Sequence, residues 1–178
     1  MHQEIIDFWF QEIDPAKWWV KDPEFDQLIR DKFLTIYEQA KVCELYTWRT
    51  TAKGRLAEVI VLDQFPRNMF RGTALSFATD SLALTLSQEA VSIGADQALT
   101  TTEKSFLYMP FMHSESLGIH QQAVKLFELN GNESNLKFEI KHKEIIEKYG
   151  RYPHRNEILG RESKQDELVF LTQPGSGF

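Results

Sequence analysis

Apolar residues return at three- and four-residue steps along most of the chain, and no stretch alternates with period two over a convincing length. The clearest helix spans 23–42. Asp22 suits its N-cap and Pro23 its first position, while Phe25, Leu28, Ile29, Phe33, Ile36, Tyr37 and Ala40 form one apolar stripe. Asp26 and Arg30 stand at i,i+4, the spacing of an ion pair on the outer side. A second helix begins near Gly54 with Leu56, Ala57, Ile60, Val61 and Leu62. Pro66 is expected to end or kink it, because proline lacks a backbone donor and crowds the preceding turn. A third helix covers 78–93, with Gly94 placed for a left-handed C-cap. Thr100 and Glu103 form a capping box opening a helix through Phe106 and Leu107, which Pro110 interrupts. Helices at 114–129, closed by Asn130-Gly131, and at 136–149, stopped by Gly150, come next, and Ser163-x-x-Asp166 opens a short last one. The first apolar segment, 4–10, is broken by Asp14-Pro15.

Seven or eight helices joined by a few residues each predict an all-α fold of antiparallel neighbours in one domain, either an irregular bundle or stacked helical hairpins. No repeat at the 34-residue tetratricopeptide period is visible, so spacing alone does not choose between them. No linker or low-complexity tract divides residues 1–178.

Composition narrows the function classes. With 42% hydrophobic and 26% charged residues over 178 positions, the chain is ordinary globular protein. The single cysteine, Cys43, excludes an internal disulfide framework and a cysteine-rich zinc site. Lying late in an amphipathic helix beside Val42, it is expected as a small core residue. No apolar run approaches membrane-spanning length, and Met1-His2-Gln3-Glu4 does not open a secretory signal, so the expectation is a cytoplasmic protein with no membrane contact. A net charge of −6 argues against nucleic acid as a partner. The charge is uneven: residues 137–161 hold seven Lys and Arg against four Asp and Glu, which suits either a small-anion site or a solvated mixed-charge face.

Three stretches concentrate polar chemistry. Leu62-Asp63-Gln64-Phe65-Pro66-Arg67-Asn68-Met69-Phe70-Arg71-Gly72 sets an acid, an amide and two arginines around a proline. Arginines there can fork onto a carboxylate or phosphate of a ligand, or lock the corner onto a buried acid. Phe106 to Glu115 places His113 and Glu115 beside Pro110; in a turn the two converge, on a regular helix they diverge. Its aromatics and methionines read as core. Tyr149-Gly150-Arg151-Tyr152-Pro153-His154-Arg155-Asn156 offers many donors and little negative charge, suited to an anionic group or to orphan carbonyls at a helix end. Phosphate loops, dinucleotide fingerprints and nucleophile elbows are absent from the sequence. His113 and His120, seven apart, would share a helix face, a weak metal spacing, and no metal or cofactor is expected.

These strings, together with Asp7-Phe8-Trp9-Phe10, Phe77-Ala78-Thr79-Asp80, Leu159-Gly160-Arg161 and Pro174-Gly175-Ser176-Gly177-Phe178, resemble the bacterial domain-of-unknown-function family 924 over nearly the whole chain. The resemblance implies stacked helix pairs of the tetratricopeptide-like superfamily and supplies no activity or cofactor. Two departures stand out. His120-Gln121-Gln122 replaces an expected Gln-Glu-Arg, which lowers the interest of His120 as a ligand, and Glu58 occupies a position expected to be small or apolar, implying partial exposure there.

The expected site gathers Asp63, Arg67, Asn68, Arg71, His113, Glu115, Arg151, His154, Arg155 and Asn156 at helix ends along one cleft. A binding module would hold a small anionic ligand or an acidic peptide between the arginines, with Trp18, Trp19 or Tyr152 as apolar walls. An enzyme would use His113 or His154 as general base, Glu115 or Asp63 to orient it, and arginines to stabilise developing charge. The binding module is slightly preferred. A purely structural role predicts that these residues pair with one another and close to solvent.

Overall fold

The structure, a computed structural model, describes residues 1–177 of the chain. Among these residues it has eight α-helices and no strand: α1 His2–Asp7, α2 Pro23–Lys41, α3 Ala52–Met69, α4 Asp80–Ser92, α5 Thr101–Met112, α6 Leu117–Asn130, α7 Glu133–Tyr149 and α8 Gln165–Leu171. The expected caps are made. The Asp22 side chain accepts from Glu24 N and Phe25 N, and Thr100 and Glu103 bond reciprocally. Gly150 takes a φ of 69°, a left-handed turn that releases the chain from α7 into the 151–161 loop. The last helix begins one residue later than expected: Lys164 N donates to Glu167 at 2.7 Å, so Glu167, not Asp166, closes that end.

From α2 to α7 consecutive helices pack on one another, and α3 also meets α1 and α5. A helix surrounded this way must be buried on every side, and 56–66 are all buried in α3. Phe65 stacks on Phe33 at 4.9 Å, and Phe8, Trp9 and Phe106 complete an aromatic core around α3 and α5.

Both prolines depart from expectation. α3 runs through Pro66 to Met69, and α5 through Pro110 to Met112. At Pro66 the cause is visible. The proline cannot donate to the Leu62 carbonyl, and Thr79 Oγ1 donates to it instead at 2.6 Å. Four other expectations are corrected. Cys43 is exposed, with a φ of 63° just past α2, because the chain turns left-handed there and carries it out of the core. Asp26 and Arg30 do not pair with each other. Asp26 accepts from Arg71 and Asn68, and Arg30 donates to Met69 O, so both serve the α2–α3 contact. Glu58 is buried, with its carboxylate held by Arg49 at 2.6 and 2.7 Å. His113 and His120 share no helix face, since α5 ends at Met112 and His120 lies in α6.

Candidate functional site

The site is built on the last turns of α3 and α5 and the first turn of α4. Asp63 and Arg67, four apart on α3, present one face. The Thr79–Leu62 bond docks the start of α4 there, bringing Asp80 to Arg67. Arg67 grips Asp80 with two bonds of 2.9 Å and also donates to the Asp63 backbone carbonyl at 2.6 Å. His113 caps α5 and sets its Nδ1 2.8 Å from Asp63 Oδ1. The short turn Pro153–Arg155 brings Arg155 to the other side of Asp80, Nη1 to Oδ2 at 3.3 Å.

Between these groups lies an open cleft of about 320 Å³, walled by Asp80, Ser81, His113, Ser114, Glu115 and Arg155 on its polar side and by residues such as Phe77, Leu84, Pro110 and Leu159 on its apolar side. Asp63 is fully buried behind His113. Burial disfavours its carboxylate, but Arg67 and then His113 outweigh burial and hold its pKa below the usual range. Burial, then Arg67, pushes the His113 pKa down. An ionised Asp63 accepts and does not donate, so the neutral imidazole carries its proton on Nδ1 and keeps a lone pair on Nε2. Among the described residues Nε2 makes no hydrogen bond.

Arg155 is only 6% exposed. Its guanidinium lies 4.5 Å from the Phe77 ring centroid and 4.7 Å from that of Tyr152, and its buried Nε–H has no acceptor. Burial, then the like charge of Arg67, lowers its pKa.

Of the expected ten residues, Asp63, Arg67, His113, Glu115 and Arg155 gather here. Glu115 lines the cleft but does not orient His113. It is clamped by Arg161 at 2.6 and 2.9 Å and accepts from Tyr152 N at 2.7 Å. The others lie elsewhere. Asn68 and Arg71 close on Asp26, and Arg151 and Asn156 on Glu167. His154 is not among the lining residues, and burial drives its pKa to about 3. Trp18 and Trp19 pack against Phe106, outside the cleft, and Tyr152 supports Arg155 from behind. His120, passed over in the sequence, is completely buried, Nδ1 2.7 Å from Glu139 and Nε2 2.9 Å from Ser114 O, where it fixes the loop after His113. The sequence reading also missed Asp80 as the acid shared by two arginines. The available signal was its place beside Thr79 in a family string, at a helix N-terminus where an acid is ordinarily credited to the helix dipole. Among the described residues no three His, Cys, Asp or Glu side chains are grouped to hold a metal ion, and no helix is long and apolar enough to cross a membrane.

A family model for bacterial proteins of unknown function, DUF924, matches residues 5–175. The chain belongs to that family. It is also similar to the solved structure of a protein of unknown function from Agrobacterium tumefaciens, with 40% identity, a TM-score of 0.91 and 96% of each chain covered. No curated protein matches it.

Proposed function

We propose that the cleft is an acid–base site acting on a small molecule that carries negative charge. The observation that supports this reading is the Asp63–His113 pair at 2.8 Å, a neutral, carboxylate-oriented imidazole on the wall of an open cleft. His113 Nε2 takes a proton from the bound molecule or returns one, Asp63 is the positioning residue that fixes the tautomer, and Arg155 holds the negative charge. The cleft volume falls at the small end of ligand sites, about 300–1,000 Å³, and suits a small molecule better than an extended peptide.

The test is a turnover screen of small carboxylates and phosphate esters with the wild type, His113→Gln and Asp63→Asn. The expected result is an activity lost in His113→Gln and reduced about 10²- to 10⁴-fold in Asp63→Asn, the range of general acid–base contributions. A base must be deprotonated, and the His113 pKa of the free protein is lowered, so kcat/KM rises with pH along an acid limb centred below about 6.5 and is flat above it. Turnover that survives His113→Gln unchanged removes the proposal.

One observation favours a second reading, a binding module that releases its ligand unaltered. Asp63 and Asp80 already balance Arg67 and Arg155, which leaves little unspent charge for transition-state stabilisation. Saturable thermal stabilisation by a ligand recovered intact, unaffected by His113→Gln, would select it.

A further inference from the structure

Arg155 is held so that its ligand must approach in one plane. Phe77 and Tyr152 lie against the guanidinium at 4.5 and 4.7 Å, so hydrogen bonding is left to the edges of the group. Nη1 is engaged with Asp80, and that is the one hydrogen bond the Arg155 guanidinium makes among the described residues. The Nε–H, buried, has none. Elsewhere in this protein the Nε/Nη2 edge of arginine holds a carboxylate three times: Arg49 on Glu58 at 2.7 and 2.6 Å, Arg71 on Asp26 at 2.5 and 2.7 Å, and Arg151 on Glu167 at 2.6 and 2.7 Å. In Arg155 the same edge lacks its carboxylate. In those three internal pairs the group on the edge is a planar carboxylate, although an arginine fork can also hold two oxygens of a phosphate.

Charge points the same way. Asp63 and Asp80 offset Arg67 and Arg155, Glu115 offsets Arg161, and His113 is neutral. One further negative charge is cancelled by one proton on His113, whereas a dianion leaves an excess. The charged and titratable groups that act on His113 are Asp63 and Arg67 from α3 and Asp80 from α4, and it is felt in turn by His142 of α7 and His154 of the loop. Apart from Ser81 and Ser114 the rest of the lining is apolar, with Ala74, Phe77, Ala78, Leu84, Pro110 and Leu159.

We infer that the molecule this cleft takes is a small monocarboxylate with an apolar body, its carboxylate paired with the Arg155 guanidinium. The inference rests on the acid–base reading and narrows its substrate class. It also gives the carboxylate a role: its charge opposes the lowering that burial and Arg67 impose on the His113 pKa, which strengthens the base.

The experiment is calorimetric titration of the full chain at about pH 6, just under the ordinary histidine pKa of about 6.5. Isovalerate, isovaleramide and inorganic phosphate serve as probes, each in two buffers of different ionisation enthalpy. Isovalerate is expected to bind with uptake of up to one proton, and the uncharged amide and phosphate at least about tenfold more weakly, the scale of a charged hydrogen-bond pair. Arg155→Lys keeps the charge but loses the edge, and is expected to weaken isovalerate about tenfold. Should that variant fail to fold, Ala78→Phe tests the location, because it fills the cleft from an exposed position and is expected to abolish binding. Phosphate binding more tightly than isovalerate, with dependence on Arg155, overturns the carboxylate assignment and leaves the acid–base reading standing. Isovalerate binding without proton uptake, or unchanged by His113→Gln in its uptake, places the ligand away from His113 and overturns both. No small anion binding in a manner blocked by Ala78→Phe also overturns both.

Discussion

The corner around Glu167 and the cleft around Asp80 are both built from arginines on carboxylates at helix ends, and they differ in what is left over. Glu167 accepts from Arg151, Asn156 and Lys164 N, and neighbouring Arg161 spends its donors on Glu115, Asn156 and Tyr152 O. In the cleft Asp80 is shared by two arginines, Arg155 keeps unspent donors, and His113 keeps a lone pair beside open space. The first arrangement is a clamp that fixes the 150–167 segment. The second has the same ingredients with one buried donor unmatched and a cavity alongside. Residue types at a helix end therefore do not separate lock from site; the count of satisfied donors and acceptors does.

The largest expected effect strikes the cleft's own framework. Arg67→Met strands Asp63, fully buried, and Asp80 together, and is expected to cost about 3–5 kcal/mol in urea unfolding, the usual loss when one partner of a buried pair is removed. A loss under about 1 kcal/mol would mean the network is solvated and the contrast with the clamp is false.

Acid separates the clamp from the buried histidines next. Burial first, then neighbouring charges, lowers His142 and His154 to about 3, whereas the bonds from Arg151 lower Glu167 to about 2. For each histidine the folded pKa lies below the unfolded value of about 6.5, so the unfolded chain binds the extra proton. Stability falls as pH drops from about 6.5 toward 3, by up to about 1.4 kcal/mol per pH unit per histidine. Glu167 contributes above the ordinary carboxylate pKa and loses its contribution only as pH falls through about 4 toward 2. Denaturant midpoints across this range should fall first on the histidine side, and His142→Asn with His154→Asn should flatten the limb above about pH 4.5. An unchanged limb would put the acid-sensitive groups elsewhere.

A smaller effect is expected at the clamp. Glu167→Gln keeps an acceptor for Lys164 N but loses the charge facing Arg151, so the melting temperature should fall while isovalerate affinity stays at the wild-type value. Altered affinity would show that the clamp and the cleft are one unit.

Helix spans and caps were legible because they are local: an N-cap acid with proline, a reciprocal Thr–Glu box, a glycine after the last periodic residue. Single-residue burial was less so, because tertiary partners decide it. Glu58 is buried by Arg49, nine residues away, and Cys43 is turned outward by one left-handed residue. Of the candidate site, the chemistry-bearing strings were visible but not which acid meets which arginine. Asp26 draws Arg71 across 45 positions and Asp80 draws Arg155 across 75, distances over which spacing carries no information.

Pro66 shows how such long-range choices are made, and yields the smallest effect. The proline leaves the Leu62 carbonyl without its helical donor, inside a helix buried on all sides. An unsatisfied carbonyl there costs about 1–3 kcal/mol, which biases the fold toward whatever supplies a donor. Thr79 does so at 2.6 Å, and the residue after it is Asp80, so the vacancy at Pro66 helps bring the acid to Arg67. Thr79→Val should therefore cost about 1–2 kcal/mol and also weaken isovalerate binding, since Asp80 loses its tether. Pro66→Ala restores a backbone donor to Leu62. In the Thr79→Val background it should recover the stability but not the binding, because the carbonyl is satisfied while α4 is still undocked. Recovery of both would mean that Thr79 serves the helix alone and that Asp80 is positioned by its arginines.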